Sequence, residues 1–339
     1  MLDIDNLRVN FESKVLESGK VILVPHKVAD FDAIGSAIGL SLAVSKLKKT
    51  SMIIIDDKTY ELDRGVYSII KESKSEHNIM TKSKYLSTLM TNDMSTNDLF
   101  IMTDVNKSYL VTVADLMKDP ERVMIIDHHE ADDKTVGSNY QFIDSKVSSA
   151  SEIVVKLLLK MKVKIPKNIA NYLLAGIYLD TNKLTKNVSA ETLLIASKLI
   201  EFGADTNFVM ELFTEDYDSD RRVQELVNRT RMIQYKIAMV LADANNEYTT
   251  KELARTADYG LNYGVDASFA VGKISDDIVA VSARSKSTID VGKVMQQMGG
   301  GGNQFSAATK IEGQSIEEVG KKLELILRPN CYVEKKTES

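Results

Sequence analysis

The sequence predicts an α/β protein: a domain with a mainly parallel sheet flanked by helices, joined by a helical linker to a smaller α/β domain. Short apolar runs alternate with helical segments between residues 21 and 190, and a second strand-rich region begins near residue 235. Such alternation is typical of a parallel sheet covered by helices. A length of 339 residues also exceeds the usual size of one domain.

The first domain is expected over residues 1–190. An amphipathic helix over 5–18 opens it without a preceding element. Apolar runs bounded by polar residues predict strands at 21–24, 52–55, 99–102 and 123–126. Helical spacing of apolar residues predicts helices at 33–48, 107–117, 148–162 and 167–179.

Residues 191–234 are helical in pattern and strongly charged after residue 214, which predicts the linker. The second domain, 235–339, has strand patterns in KIAMVLADA (236–244) and ASFAVGKISDDIVAVSARS (267–285). A helix ending near Met298 and the loop GGGGNQF follow. The last helix is expected to start at Ser315, because SIEE offers a capping box with Glu318.

Composition excludes several classes of protein. A hydrophobic content of 44% with 27% charged residues is typical of a globular chain. A net charge of −5 argues against adhesion to duplex DNA, which needs a basic face. No apolar run reaches the roughly 20 residues that span a bilayer, and the first residues lack the pattern of a signal peptide, so secretion is not expected. The single cysteine, Cys331, cannot form an intramolecular disulfide, so we expect a cytoplasmic protein.

Acidic residues and histidines follow four apolar segments. The segments are VILVP, LFIMT, VMII and LLAGIYL, and the polar residues after them are His26, Asp30, Asp32, Asp104, Asp127, His128, His129 and Asp180. Strand ends at one edge of a parallel sheet converge, so these side chains are expected to share one cleft. Taken singly, each aspartate could be a helix cap or a turn residue. Capping does not explain why three of the four histidines occupy the same strand ends.

Crowded carboxylates and imidazoles are costly unless a cation compensates them. Oxygen and nitrogen ligands without cysteine suit Mn²⁺, with Mg²⁺, Co²⁺ or iron as alternatives and zinc less favoured. Two such ions about 3.5 to 4 Å apart can activate a water and hold a phosphate. The expected reaction is therefore hydrolysis of a phosphoester.

The motifs HKVADFDAIGS, MTDVN, IDHH and YLDT, in that order, resemble those of the DHH phosphoesterase superfamily. SARS at 282–285 and GGGGN at 299–303 resemble its DHHA1 substrate domain. The resemblance implies a DHH domain over 1–190 and a DHHA1 domain over 235–339. The family often has histidine where Asn303 stands, arginine where Glu130 stands and Asn-Pro in place of Val28-Ala29.

The resemblance also implies roles. Two Mn²⁺ ions would be held, one by His26, Asp30 and Asp104, and the other by Asp32, Asp104, His128 and Asp180. His129 would face the phosphate as a charge stabiliser or proton donor, with the bridging Asp104 as the other catalytic residue. Asp127 would support the site from behind. The implied substrate contacts are His129, Arg284, Ser285, Gly300, Gly301, Gly302 and Asn303.

Within the superfamily, the motifs are most similar to the C-terminal catalytic region of GdpP-type cyclic di-AMP phosphodiesterases. This implies hydrolysis of cyclic di-AMP to linear 5′-pApA, in the cytosolic part of a longer membrane-anchored protein, and a homodimer is expected because such relatives are often dimeric. The alternatives are an NrnA-like oligoribonuclease or pAp phosphatase, and a non-catalytic dinucleotide sensor.

Overall fold

The chain forms two compact units, Met1–Thr214 and Glu215–Ser339, in a computed structural model. The structure describes residues 2–91, 97–214, 217–233, 236–286 and 288–327, and Cys331 lies outside them. The division between the two units falls inside 191–234, the range that the sequence predicts as a linker. Helices on the N-terminal side of that boundary belong to the first unit, and the helix that follows it belongs to the second.

The first unit contains a six-stranded parallel sheet in the order β3-β2-β1-β4-β5-β6. Its strands are β1 (Val21–Val24), β2 (Ser51–Ile55), β3 (Ile79–Thr81), β4 (Leu99–Thr103), β5 (Val123–Asp127) and β6 (Tyr140–Ile143). The strand order runs in one direction from β1 to β3 and in the other from β4 to β6. The carboxyl ends of β1 and β4 therefore flank the switch point where such sheets bind ligands.

Helices pack on this sheet and on one another. They are α1 (Ile4–Glu17), α2 (Phe31–Lys46), α3 (Arg64–Ser73), α4 (Lys82–Thr91), α5 (Ala150–Lys160), α6 (Lys167–Asp180), α7 (Ala190–Glu201) and α8 (Thr206–Leu212). Helix α2 is buried along nearly its whole length and packs against α5 and α6. Burial on most sides fixes the position of its N-terminus, where two of the candidate ligands lie.

The predicted α/β fold class is confirmed, with one local prediction wrong. Residues 107–117, predicted as a helix, form two short 3₁₀ turns, Ser108–Leu110 and Ala114–Leu116. The backbone there pairs with other loops: Val111 bridges to His26, and Lys107 bridges to Thr135. These bridges compete with the hydrogen bonds that an α-helix would need.

The second unit is built on a mixed six-stranded sheet in the order β11-β12-β10-β9-β8-β7, in which only the β8–β9 pair is parallel among the described strands. Its strands are β7 (Arg231–Ile233), β8 (Ile237–Leu241), β9 (Ala267–Ser275), β10 (Ile278–Ser285), β11 (Gly301–Gly302) and β12 (Ser306–Glu312). Its helices are α9 (Tyr217–Val227), α10 (Thr250–Gly260), α11 (Val291–Gln297) and α12 (Ile316–Ile326). The capping box predicted at Ser315 and Glu318 begins α12.

Across the described parts of both units, none of the helices has the length and the apolar composition that crossing a bilayer requires.

Candidate metal centre

One cluster of potential ligands lies where β1 ends. His26 Nε2 is 3.5 Å from Asp30 Oδ2 and 3.5 Å from Asp104 Oδ2. Asp30 is also the N-cap of α2, and its Oδ1 accepts from the backbone amides of Asp32 and Ala33 at 2.9 and 3.0 Å. Oδ1 of Asp30 caps the helix while Oδ2 faces His26, so the capping role of Asp30 does not exclude a ligand role.

A second cluster surrounds His128. Its Nε2 lies 3.3 Å from Asp104 Oδ1, 3.2 Å from Asp180 Oδ2 and 3.9 Å from Asp32 Oδ2. The side chains come from the ends of β4, β5 and α6 and from the first turn of α2. Asp104 belongs to both clusters, and it directs one carboxylate oxygen to each.

The residues present fit divalent cations. In each cluster, one potential ligand atom from every side chain lies within 4.8 Å of the others. Asp104 Oδ1, His128 Nε2 and Asp180 Oδ2 are buried and have no hydrogen-bond partner among the described residues. Buried polar atoms without partners are rare and costly. A mixed carboxylate and imidazole set without thiolates matches the ions expected from the sequence.

Asp32 is fixed by the N-terminus of α5. Its Oδ2 accepts from the Ala150 amide at 2.7 Å, and its Oδ1 accepts from the Ser151 amide at 2.8 Å. Helix α6 approaches it closely, because a Cβ added at Gly176 would lie 2.6 Å from Asp32 Oδ1 and 2.3 Å from Ser151 Oγ. The lack of a side chain at Gly176 therefore allows α6 to present Asp180 beside Asp32.

Asp104 has a left-handed backbone conformation, with φ of 57°. Aspartate adopts this region more readily than most residues. Its amide donates to the Ile126 carbonyl at 3.1 Å, which ties the turn after β4 to β5. This conformation occurs where the chain leaves the sheet, and the Asp104 carboxylate there faces both His26 and His128.

Asp127 is fully buried and organises the following two histidines. Its Oδ1 accepts from the amides of His128 and His129 at 2.8 and 3.2 Å and from His129 Nδ1 at 2.9 Å. Its Oδ2 accepts from Asn106 Nδ2 at 2.6 Å, and that amide group also donates to the His129 carbonyl at 3.2 Å. These contacts agree with a supporting position for Asp127.

His26 and His128, which are both half-buried, favour their charged form. Burial lowers the pKa of His26, but the carboxylates of Asp104 and Asp30 outweigh it and raise the pKa to about 10. The pKa of His128 is also lowered by burial, and Asp104 and Asp180 raise it to about 11. The carboxylate charge that raises the pKa of both imidazoles would also favour a bound cation.

The carboxylates of Asp32, Asp104 and Asp180 shift toward their neutral form, whereas His26 lowers the pKa of Asp30 against the effect of burial. Burial and then the nearby Asp180 raise the pKa of Asp32 to about 7. Burial and then Asp32 raise the pKa of Asp104 to about 6. These directions show the cost of holding several carboxylates together, which divalent cations would remove.

Asn106 is a site residue that sequence reasoning missed. It lies two residues after Asp104, inside the motif MTDVN, and only the aspartate of that motif is singled out by chemistry at the sequence level. A loop asparagine gives no periodic signal, and its contact with Asp127 spans 21 positions. The supporting amides of Ala150 and Ser151 are likewise invisible in the sequence, because every residue type except proline has such a group.

The predicted substrate contacts of the second unit lie close together. Arg284 and Ser285 end β10, and the Ser285 amide donates to the Phe305 carbonyl just beyond the glycine loop at 2.9 Å. Arg284 Nε donates to Asp258 Oδ1 at 3.0 Å, so its guanidinium already has a partner. Ser285 Oγ donates to the Asp266 carbonyl at 3.2 Å.

The glycine loop is shaped partly by packing. A Cβ added at Gly300 would lie 2.2 Å from the Ala308 carbonyl oxygen. Gly302 has φ of 142°, and a Cβ added there would lie 2.4 Å from Ala307 Cα in β12. Gly301 is exposed, with open space where a Cβ would be. Asn303 closes its own turn, because its Oδ1 accepts from the amides of Phe305 and Ser306 at 2.9 and 2.8 Å.

Comparisons with known proteins match both units of this chain. Residues 20–177 match the DHH family, N-terminal domain, and residues 222–328 match the DHHA1 domain. The chain is 30% identical over 316 residues to the cyclic-di-AMP phosphodiesterase GdpP of Geobacillus thermodenitrificans, an alignment that covers 91% of this chain and 47% of the relative. It is 30% identical over 317 residues to a membrane protein–large ribosomal subunit bL9 fusion protein of Aster yellows witches'-broom phytoplasma, covering 90% and 36%.

The chain thus spans less than half the length of each of these relatives. Among solved structures, an exopolyphosphatase-related protein from Bacteroides fragilis has the same fold, with a TM-score of 0.79, 20% identity and coverage of 95% of this chain and 96% of that one. The two family matches, in the order in which the two structural units occur, show that this chain belongs to the DHH phosphoesterase family and carries a DHHA1 domain.

Proposed function

We propose that the chain is a two-metal phosphodiesterase that hydrolyses cyclic di-AMP to linear 5′-pApA. The observation that carries the proposal is the pair of ligand clusters sharing Asp104, whose two oxygens face His26 and His128. A shared carboxylate supports the short separation between ions on which two-metal hydrolysis depends. Mn²⁺ is the proposed ion, with Mg²⁺ and Co²⁺ as alternatives.

Cations bound in these clusters would activate a water and neutralise the phosphate that it attacks. His129 is half exposed, and its Nδ1 is taken by Asp127, so Nε2 is the nitrogen left to meet substrate. The Asp127 contact raises the pKa of His129, which favours donation of a hydrogen bond or a proton to a phosphate oxygen. Asp127 and Asn106 hold this ring in place.

Support for cyclic di-AMP comes from the alignment with a relative of that named activity, which extends over both units of this chain. In the second unit, we propose that Arg284, Ser285, Gly300, Gly301, Gly302 and Asn303 contact the substrate. Arg284 would exchange its exposed partner Asp258 for a phosphate, which a guanidinium binds through two parallel hydrogen bonds.

Arg284→Ala should therefore raise KM more than it lowers kcat. Arg229→Ala is a matched control, because Arg229 also pairs with a carboxylate of the second unit, that of the half-buried Asp243. An unchanged KM in Arg284→Ala would contradict the substrate contact.

A substrate panel tests the proposed function. The purified chain is incubated with Mn²⁺ and cyclic di-AMP, cyclic di-GMP, pApA, pAp or pyrophosphate, and products are separated by chromatography. We expect cyclic di-AMP to be consumed fastest and 5′-pApA to accumulate. Preferred cleavage of pApA or pAp would instead indicate an NrnA-like activity. Binding of cyclic di-AMP without turnover would indicate a dinucleotide sensor.

We also propose that the chain works on the cytoplasmic side of a membrane, as part of a longer protein. The phytoplasma relative, named as a membrane protein fusion, supports this. Fractionation of cells that produce the protein from its native locus tests it, and recovery of the protein away from membranes would contradict it.

A further inference from the structure

A cavity of about 590 Å³ opens in the first unit beside the segment that carries His26. Its volume is in the range of small-molecule sites. Two backbone contacts connect its wall to the metal centre: Val111 bridges to His26, and the Lys27 amide donates to the Leu110 carbonyl at 2.7 Å. The cavity therefore begins one residue away from a candidate metal ligand.

Three lysines from separate stretches of the chain line this cavity, which we call the lysine pocket. Its charged and aromatic lining residues are Lys27, Asp56, Lys58, Lys82, Tyr109 and Asp115. Asp56 is engaged locally, because its Oδ2 accepts from Thr112 Oγ1 at 2.9 Å and its Oδ1 accepts from the Lys58 amide at 3.0 Å. Lysines outnumber aspartates, so the lining is cationic in a chain whose net charge is −5.

Tyr109 adds an aromatic surface to the pocket. It is 60% exposed, and its carbonyl accepts from Lys27 Nζ at 2.8 Å, which anchors the backbone that carries the ring. An exposed aromatic ring beside cationic side chains is the combination that binds nucleotides, because bases stack on the ring while the cations meet the phosphate.

The metal clusters provide no such environment for a second phosphate. Their protein ligands are mostly aspartates, which repel any phosphate that the ions themselves do not hold. A dinucleotide that places one phosphate at the clusters must place its other phosphate elsewhere. The lysine pocket adjoins the clusters and has the opposite charge.

We propose that the lysine pocket binds the nucleotide that is not being cut, with its phosphate at Lys58 and Lys82 and its base against Tyr109. The proposal rests on the proposed function, because it assumes that the substrate carries two nucleotides. It assigns the selectivity for dinucleotides over simple phosphodiesters to residues outside the metal centre. Asp115 provides an acceptor for a ribose hydroxyl or a base amino group.

The first test is binding without metal. Affinity for linear pApA is measured by calorimetry in EDTA for the wild type and for the double variant Lys58→Gln/Lys82→Gln. The matched control is Lys74→Gln/Lys84→Gln, which removes the same charge from exposed positions outside the pocket. We expect about tenfold weaker binding in the pocket variant and wild-type affinity in the control.

Tyr109 is tested in the same way. Tyr109→Ala should weaken pApA binding about tenfold, while Tyr109→Phe should keep wild-type affinity because the stacking face remains. Equal losses in both variants would contradict a stacking role.

The second test is turnover with Mn²⁺. The ratio of kcat/KM for a dinucleotide to kcat/KM for bis(p-nitrophenyl) phosphate should fall about tenfold in Lys58→Gln/Lys82→Gln, and it should stay at the wild-type value in the control. An unchanged ratio in the pocket variant would overturn the proposal.

The two tests separate this inference from the proposed function. If the wild type binds pApA but does not hydrolyse any dinucleotide, and the pocket variant binds it more weakly, the pocket stands and the proposed function fails. If pocket and control variants bind pApA equally, or the wild type does not bind it, the inference is wrong whatever the turnover shows.

Discussion

Asp104 Oδ1 lies 3.3 Å from His128 Nε2, and neither atom has a hydrogen-bond partner in the part of the chain that the structure describes. The other oxygen of Asp104 faces His26 Nε2 at 3.5 Å. One carboxylate therefore joins two clusters that are otherwise built from different side chains. Most of the chemistry proposed for this chain depends on that arrangement.

Asp104→Asn should remove the shared ligand and keep the fold. Asparagine also adopts the left-handed backbone conformation found here, with φ of 57°, so little strain is expected. We expect kcat to fall at least about a hundredfold and Mn²⁺ stoichiometry to drop below two ions. Asp133→Asn, at an exposed position, is the control. Wild-type stoichiometry and rate in Asp104→Asn would contradict the shared-ligand assignment.

Asn106→Ala should slow catalysis without removing a metal ligand. It leaves Asp127 Oδ2 buried without its donor and frees the His129 carbonyl, so His129 loses its fixed position. We expect kcat to fall about ten- to a hundredfold and the free energy of unfolding to fall by about 1–3 kcal/mol. Kinetics and urea denaturation measure the two effects. Asn10→Ala, which removes a half-buried amide that donates to the Asn6 carbonyl within α1, should change neither. Wild-type kcat in Asn106→Ala would argue against a positioning role for Asn106.

Gly176→Ala tests the close approach of α6 to Asp32. The new methyl group would lie 2.3 Å from Ser151 Oγ and 2.6 Å from Asp32 Oδ1, so helix and carboxylate must separate. We expect about 1–3 kcal/mol lower stability and weaker Mn²⁺ binding, measured by thermal unfolding and calorimetry. Gly137→Ala has open space around the added carbon and should behave like the wild type. If the two variants bind Mn²⁺ equally well, the packing at Gly176 does not determine the site.

Binding of Mn²⁺ should release protons. The raised pKa values of His26 and His128, about 10 and 11, keep both imidazoles protonated at neutral pH without an ion, whereas metal ligation requires the neutral form. Affinity should therefore increase as pH rises from about 6 to 9. Calorimetry in buffers of different protonation enthalpy measures the release, and His128→Asn should reduce it. Binding enthalpies that do not depend on the buffer would contradict the prediction.

The sequence was informative where apolar runs end in polar residues. Strands β1, β4 and β5 are buried at every residue and β2 is buried at its last three, and the rule that ligands gather at strand ends predicts that Asp104 and His128 lie at one edge. The metal-binding role of these side chains stays a prediction. Strand β3 has only three residues and strand β6 has one buried residue among four, so their apolar pattern is weak.

Other features depend on contacts that no local pattern records. The apolar residues of 107–117 have helical spacing, but the segment forms backbone bridges to His26 and Thr135 that an α-helix would exclude. The support of Asp127 by Asn106 and the lysine pocket both arise from segments far apart in the chain. Pairing of Arg284 with Asp258 across 26 positions was equally beyond sequence reasoning.

Anomalous X-ray diffraction from crystals grown with Mn²⁺ tests the two-metal centre most directly. We predict two peaks about 3.5 to 4 Å apart, one within coordination distance of His26, Asp30 and Asp104, and the other within coordination distance of Asp32, Asp104, His128 and Asp180. A single peak, or peaks that do not share Asp104, would contradict the two-metal assignment.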